Sequence, residues 1–119
     1  MGLDLYFLAE GKAAETFLGE PCSQWSYRTL CDYYADDDKT VVIGYGRNVW
    51  PILAILEKTA REGGVVTSRT LSQIYKEARR WLGSGDRWQK DKGVEMLRAV
   101  ARMRRALALG CTVKYRASY

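Results

Sequence analysis

The sequence predicts an α+β fold in which helices cover a small, mainly antiparallel sheet. Apolar or alternating segments at both ends of the chain, residues 3–9 and 111–117, are typical of strands. The β-branched run 40–43 predicts one more strand. Three consecutive helical patterns between the second and last strands favour helices packed on one face of a sheet whose terminal strands are neighbours.

Four segments repeat apolar residues at helical spacing. Ser26, Asn48 and Ser68 are the predicted N-caps of the first three, and Gly63 and Gly110 are predicted stop signals. The helices are expected near 26–35, 49–62, 69–82 and 87–109. The third is expected to turn inward Leu71, Ile74, Tyr75, Ala78, Trp81 and Leu82.

The bulk properties predict a single globular domain spanning residues 1–119. Hydrophobic residues make up 47% of the chain and charged residues 28%, which is ordinary for a folded protein. No apolar run approaches the roughly 20 residues that span a bilayer, and the first residues lack the basic region of a signal peptide. We therefore expect a cytoplasmic protein with no membrane partner.

The residue types available for chemistry are few, because the chain contains no histidine. Ser–His and Cys–His nucleophile pairs are thereby excluded. Cys22, Cys31 and Cys111 are an odd number without Cys-x-x-Cys spacing, which favours reduced, partly buried thiols. Residues 36–38 are three aspartates, and they lack the spacing of a calcium loop and fit a solvated turn. We expect no catalytic residue, metal or cofactor.

A weak phosphate-binding signal lies at Gly44, Gly46 and Arg47. They are predicted to form a loop between a strand and a helix, where backbone N–H groups can hold phosphate. The third glycine of a dinucleotide fingerprint is missing, since position 49 is valine. The alternative is a tight turn that places the cap of the next helix.

The last two helices carry the strongest charge pattern. Arg98, Arg102 and Arg105 share one predicted helix face, and aromatic residues flank the preceding loop. Three interpretations remain open: a solvated face, a protein-binding patch, and a nucleic-acid-binding face in which arginine and aromatic residues contact phosphates and bases. The candidate partner-binding residues are Arg79, Arg80, Trp81, Arg87, Trp88, Arg98, Arg102 and Arg105.

Both ends of the chain resemble a family of small tailed-phage and prophage proteins of unknown function. The opening Met-Gly-Leu-Asp-Leu-Tyr-Phe-Leu (1–8) is similar to their common start, Met-Gly-Leu-Asp-Met-Tyr-Leu, and the aromatic close (112–119) is similar to their usual ending. Segment 42–53 resembles their Tyr-Trp-Arg-Lys-type segment, although Gly46 stands where that family has Trp and no His follows. The resemblance implies a phage origin, a compact α+β domain and no established chemistry.

The family resemblance and the residue types together predict a phage-encoded accessory protein that is not an enzyme. Small accessory phage proteins often disable host machinery, so the expected partner is a host protein or nucleoprotein complex, such as a restriction or CRISPR system. The expected activity is then inhibition of host defence, in the manner of an anti-CRISPR protein. The alternative is a nucleic-acid-binding protein that uses its basic helical face, which suits the net charge of +5.

Overall fold

The computed structural model describes residues 2–20 and 40–119 of the protein. These residues form a three-stranded antiparallel sheet with helices, which confirms the predicted α+β fold. The predicted helix near 26–35 and the aspartates at 36–38 lie outside the described residues. In chain order the elements are β1 (Asp4–Glu10), a first 3₁₀ helix (Lys12–Phe17), β2 (Thr40–Arg47), α1 (Trp50–Thr59), a second 3₁₀ helix (Glu62–Gly64), α2 (Ser68–Leu82), α3 (Arg87–Ala108) and β3 (Thr112–Ser118).

The strand order in the sheet is β2-β1-β3, so the two terminal strands are neighbours, as predicted. Asp4 pairs with Ser118 at one end of the β1–β3 ladder, and Glu10 pairs with Thr112 at the other. The β1–β2 ladder contains one irregularity, between Phe7 and Leu8 of β1. The first and last strands of the chain therefore stabilise each other through contacts of high sequence separation.

The second strand is longer than the sequence predicted. It runs over Thr40–Arg47 rather than 40–43, and Gly44 and Gly46 pair with β1 inside it instead of forming a loop. Glycine has low strand propensity, which is why the sequence pattern ended the strand too early. In this protein the two glycines allow a helix to pack closely against the strand.

Helix α3 lies directly on these glycines. A Cβ atom on Gly44 would lie 3.0 Å from the Cβ of Ala99, and one on Gly46 would lie 2.6 Å from Cε of Met96. The missing side chains on the strand thus make room for the buried face of α3. Of the three α-helices in the described residues, α3 has the most extensive contact with the sheet.

Helix α2 packs mainly against α3, and α1 packs against α2. The α2–α3 crossing is close at Gly93, because a Cβ atom there would lie 2.9 Å from the carbonyl oxygen of Ala78. The α1–α2 contact includes a hydrogen bond of 3.0 Å from the Thr59 hydroxyl to the Thr70 hydroxyl. The helices therefore form a continuous layer in which α2 and α3 make an antiparallel helical hairpin.

The start of α1 differs from the predicted cap. Val49 holds the N-cap position, and Asn48 adopts a left-handed conformation with φ of 58°. Asparagine tolerates this region better than most residues. Its side chain stabilises the end of the sheet instead, because Asn48 Oδ1 accepts a hydrogen bond of 2.8 Å from the Leu3 amide.

The end of α1 and the start of α2 also shift. Helix α1 ends at Thr59 rather than at 62, because the backbone is extended at Ala60. Further along, the Val66 amide donates a 2.8 Å hydrogen bond to the Val113 carbonyl of β3. Thr67 rather than Ser68 caps α2, in a capping box with Thr70.

The core lies between the helices and the sheet face that carries Leu3, Leu5 and Phe7, all of them fully buried. Met96, Val100 and Met103 supply its helical side from α3. Among the described helices, none is both long and apolar enough to cross a bilayer.

Candidate functional site

The predicted partner-binding set falls on the α2–α3 hairpin, but its members have different environments. Six of the eight are exposed, one is half-buried and one is buried. The exposed residues are Arg79, Arg80, Arg87, Trp88, Arg98 and Arg105; Arg102 is half-buried and Trp81 is buried.

The assignment of Trp81 to the binding surface is wrong. Its side chain is 4% exposed and belongs to the core. Trp81 follows Ile74 by seven residues, so both lie on the same buried side of α2. Its Cβ lies at the α2–α3 crossing, 3.1 Å from where a Cβ on Gly93 would stand. The ring therefore stabilises the hairpin from within.

The predicted face of Arg98, Arg102 and Arg105 is only partly available to a partner. Arg105 donates hydrogen bonds of 2.6 and 2.7 Å from Nη2 to the two carboxylate oxygens of Glu20, and its guanidinium lies 4.3 Å from the centroid of the Phe17 ring. A planar guanidinium can donate to a carboxylate and lie over an aromatic ring at the same time. Arg105 thus fastens α3 to the segment that follows β1, while Arg98 is exposed.

A cationic cluster of Tyr75, Arg79 and Arg104 lies over the seam between the two helices. The sequence pattern identified Arg79 as a candidate binding residue but neither Tyr75 nor Arg104. The guanidinium carbon of Arg79 in α2 is 6.0 Å from the centroid of the Tyr75 ring, and that of Arg104 in α3 is 5.2 Å from it. Cations at this distance are attracted by the ring quadrupole. The sequence pattern placed Tyr75 inside, yet its side chain is 38% exposed.

Charge is strongly segregated on this hairpin. Helices α2 and α3 carry eleven of the chain's 19 Lys and Arg residues but only three of its 14 Asp and Glu residues. One of the three acids, Glu77, is paired within its own helix, because Arg80 Nε donates a 3.0 Å hydrogen bond to its Oε2. The rest of the chain is therefore net acidic, and the positive charge of the protein is concentrated on these two helices.

The N-terminal turn of α3 presents an exposed indole. Trp88 is 51% exposed, and the Lys92 ammonium lies 5.6 Å from the centroid of its ring. Lys92 is itself almost buried and lies 3.9 Å from the Glu95 carboxylate. A tryptophan held by a cation at the edge of a basic surface is typical of interface anchors.

The predicted phosphate-binding residues Gly44, Gly46 and Arg47 lie in strand β2 rather than in a loop. The Leu3 carbonyl, at the start of the β1–β2 ladder, accepts a 2.8 Å hydrogen bond from the Asn48 amide. Because backbone groups alternate along a strand, Leu5 and Phe7 likewise direct their amides and carbonyls to Gly46 and Gly44. The glycine N–H groups are thus used by the sheet, so the predicted phosphate-binding loop does not form.

Arg47, the third member of that prediction, is exposed beside Asp4. Its Nη1 lies 3.4 Å from Oδ1 of Asp4, and the Tyr45 hydroxyl donates a hydrogen bond to the same oxygen. Burial, followed by the hydrogen bond and charge of Asp4, raises the pKa of Tyr45 to about 12. The phenol therefore stays neutral and holds the end of the sheet together.

An open groove of about 300 Å³ lies between α1 and α2. Ile55 forms its apolar part, and Gln73, Lys76 and the paired Glu77 and Arg80 form its polar rim.

Within the described residues, no three His, Cys, Asp or Glu side chains come together as a possible metal-binding group. Burial raises the pKa of the Cys111 thiol.

Comparison with protein-family models, with curated proteins and with solved structures found no match for this chain.

Proposed function

We propose that this chain is a phage-encoded accessory protein without catalytic activity, and that it binds a macromolecular complex of the host through the outward face of the α2–α3 hairpin. The phage assignment rests on the resemblance of the chain's two ends and of segment 42–53. The observation that carries the proposed binding surface is the segregation of charge. Eleven cationic residues lie on two adjacent helices beside only three acidic ones.

The size of this face suits a protein-scale partner. Helix α3 has 22 residues and is about 33 Å long at the usual rise per residue. Helix α2 has 15 residues and is about 22 Å long, so two helices packed about 9 Å apart present a face of about 500 Å². This is more than half of the roughly 800 Å² that each partner contributes to a standard interface.

The residue types on this face also favour binding. Tyr, Trp and Arg dominate the energetics of protein interfaces. Tyr75, Arg79 and Arg98 are exposed on the hairpin, and Trp88 is exposed at the start of α3. Positive charge concentrated on one face attracts an acidic surface and speeds association with it. A host defence nucleoprotein complex offers such an acidic surface. The expected result of binding is inhibition of that complex by occlusion, and the expected location is the cytoplasm of the host.

The experiment uses two variants of equal charge change. In the first, Lys76→Glu, Arg79→Glu and Arg98→Glu reverse three exposed cations of the hairpin. In the second, Lys12→Glu, Lys58→Glu and Arg61→Glu reverse three exposed cations elsewhere.

Both variants and the parent are tested for binding to purified host restriction and CRISPR complexes, and for their effect on cleavage by them. We expect the parent and the second variant to bind and inhibit one of these complexes, and the first variant to lose both activities. Equal losses in the two variants, or no binding by the parent, would contradict the proposal.

A further inference from the structure

We infer that the host component contacted by the hairpin is nucleic acid, and that Tyr75, Arg79 and Arg104 form a site for its phosphodiester backbone. This inference rests on the proposed function, because it names the chemistry of the partner at the same surface. The three residues come from both helices of the hairpin and meet over the α2–α3 seam.

Two arginines, one from each helix, share a single tyrosine ring. Both guanidinium carbons lie within 6.0 Å of one ring centroid. Each of these two positive groups is thus held near the same tyrosine ring by attraction to its π system. An anion placed beside them neutralises their charge, and guanidinium geometry matches phosphate oxygens.

Within residues 2–20 and 40–119, neither arginine of the cluster has a carboxylate partner. Among the described residues, ion pairs within 4.0 Å engage Arg47, Arg80, Lys92, Arg105 and Lys114, whereas neither Arg79 nor Arg104 takes part in one. Both side chains are exposed. The cluster is therefore oriented by the ring and still has its charge available.

Stacking surfaces favour nucleic acid over an acidic protein as the partner of this cluster. Guanidinium groups pair with carboxylates as well as with phosphates, so charge and hydrogen-bond geometry alone do not distinguish the two partners. Planar guanidinium groups held against a tyrosine ring also offer stacking surfaces to unpaired bases. Together, phosphate contacts and stacking surfaces favour a nucleic-acid strand that follows the hairpin.

The test measures binding to three probes by fluorescence anisotropy: an oligothymidylate of about 20 nucleotides, a duplex of similar length and polyglutamate. Each titration is repeated between about 50 and about 200 mM salt. The main variant is Arg79→Gln with Arg104→Gln. The matched control is Lys58→Gln with Arg61→Gln, which removes the same charge from exposed positions outside the hairpin.

We expect the oligothymidylate to bind the parent and the control with the same steep salt dependence. The main variant should bind at least tenfold more weakly. Its slope of log K against log salt should be smaller in magnitude by about 1.4, or by about 1.8 on duplex, which corresponds to two lost phosphate contacts. The stronger of the two nucleic-acid probes identifies whether the partner strand is single or paired.

Substitution at the ring separates orientation from charge. Tyr75→Phe keeps the ring and should bind like the parent. Tyr75→Ala releases both guanidinium groups and should weaken binding by between about threefold and tenfold without a change in charge. Equal affinities of these two variants would overturn the role of the ring, provided that thermal unfolding shows both to be folded.

The outcomes also distinguish this inference from the proposed function. No affinity for either nucleic acid at about 50 mM salt, or equal losses in the main variant and the control, would overturn the inference. Polyglutamate binding that depends on Arg79 and Arg104, without nucleic-acid binding, would also overturn it but would leave the hairpin as the binding surface. Failure of the hairpin charge reversals to affect the host complex would instead overturn the proposed function.

Discussion

Asn48 and Leu3 form a reciprocal pair that closes the end of the sheet. The Asn48 amide donates a 2.8 Å hydrogen bond to the Leu3 carbonyl, and Asn48 Oδ1 accepts another of 2.8 Å from the Leu3 amide. The side chain of asparagine thereby completes the last backbone pair of the β1–β2 ladder. The left-handed φ of 58° at Asn48 lets the chain leave the strand for α1 at this point.

Asn48→Ala should therefore destabilise the protein by about 2 kcal/mol. Alanine loses the bond to the buried Leu3 amide and tolerates a left-handed conformation poorly. Asn48→Gly removes the bond but accepts the conformation, so we expect an intermediate loss of about 1 kcal/mol. Urea unfolding gives these differences directly, and Asn48→Asp, which keeps the acceptor, is the matched control. An alanine variant as stable as the parent would contradict this role.

Gly93→Ala tests the close crossing of α2 and α3. Alanine would gain about 1 kcal/mol of helix propensity, but its Cβ would lie 2.9 Å from the carbonyl oxygen of Ala78. Overpacking against backbone costs about 1–3 kcal/mol, so we expect a net loss of about 1 kcal/mol in unfolding experiments. Gly85→Ala has nothing within 4 Å and should change stability by less than about 0.5 kcal/mol. A more stable Gly93→Ala variant would show that the helices have room to separate.

The raised pKa of Tyr45 predicts a change at high pH. Its neutral form is favoured by folding, so the stability that it contributes is present below pH 10.0 and is lost as the pH rises toward about 12. Ultraviolet titration of tyrosinate should show one component near pH 12 that Tyr45→Phe removes. Asp4→Asn should lower this pKa but leave it above 10.0, because burial is the largest cause of the shift. Loss of a component near 10 in Tyr45→Phe would contradict the assignment.

The Arg105–Glu20 pair should make a small, salt-dependent contribution to stability. Both side chains are partly exposed, so a double-mutant cycle with alanine should give a coupling energy of about 0.5–1 kcal/mol. High salt should reduce this coupling by screening the charges. The Glu77–Arg80 pair within α2 is a useful comparison, with about 0.2–0.5 kcal/mol expected for neighbours on one helix. A coupling of zero at low salt would mean that Arg105 is held by Phe17 alone.

Local pattern was sufficient for most of the fold. The periodicity of residues 69–82 and 87–109 gave α2 and α3 almost to the residue, and the apolar ends gave both terminal strands. It failed at Gly44 and Gly46, where low strand propensity concealed a strand. The reason for those glycines is the approach of α3, about 50 residues further along the chain, and no local pattern contains that information.

The candidate site was predictable as a region but not as a set of residues. The sequence by itself determined that arginines concentrate on the last two helices, because helix propensity and charge are properties of each residue and its near neighbours. Only the tertiary structure decided which of them are available. Packing buries Trp81, Glu20 occupies Arg105, and the α2–α3 seam brings Arg104 to the ring that Arg79 also faces. Such contacts depend on the crossing of separate elements, so the residues best placed to bind a partner appear only once the chain has folded.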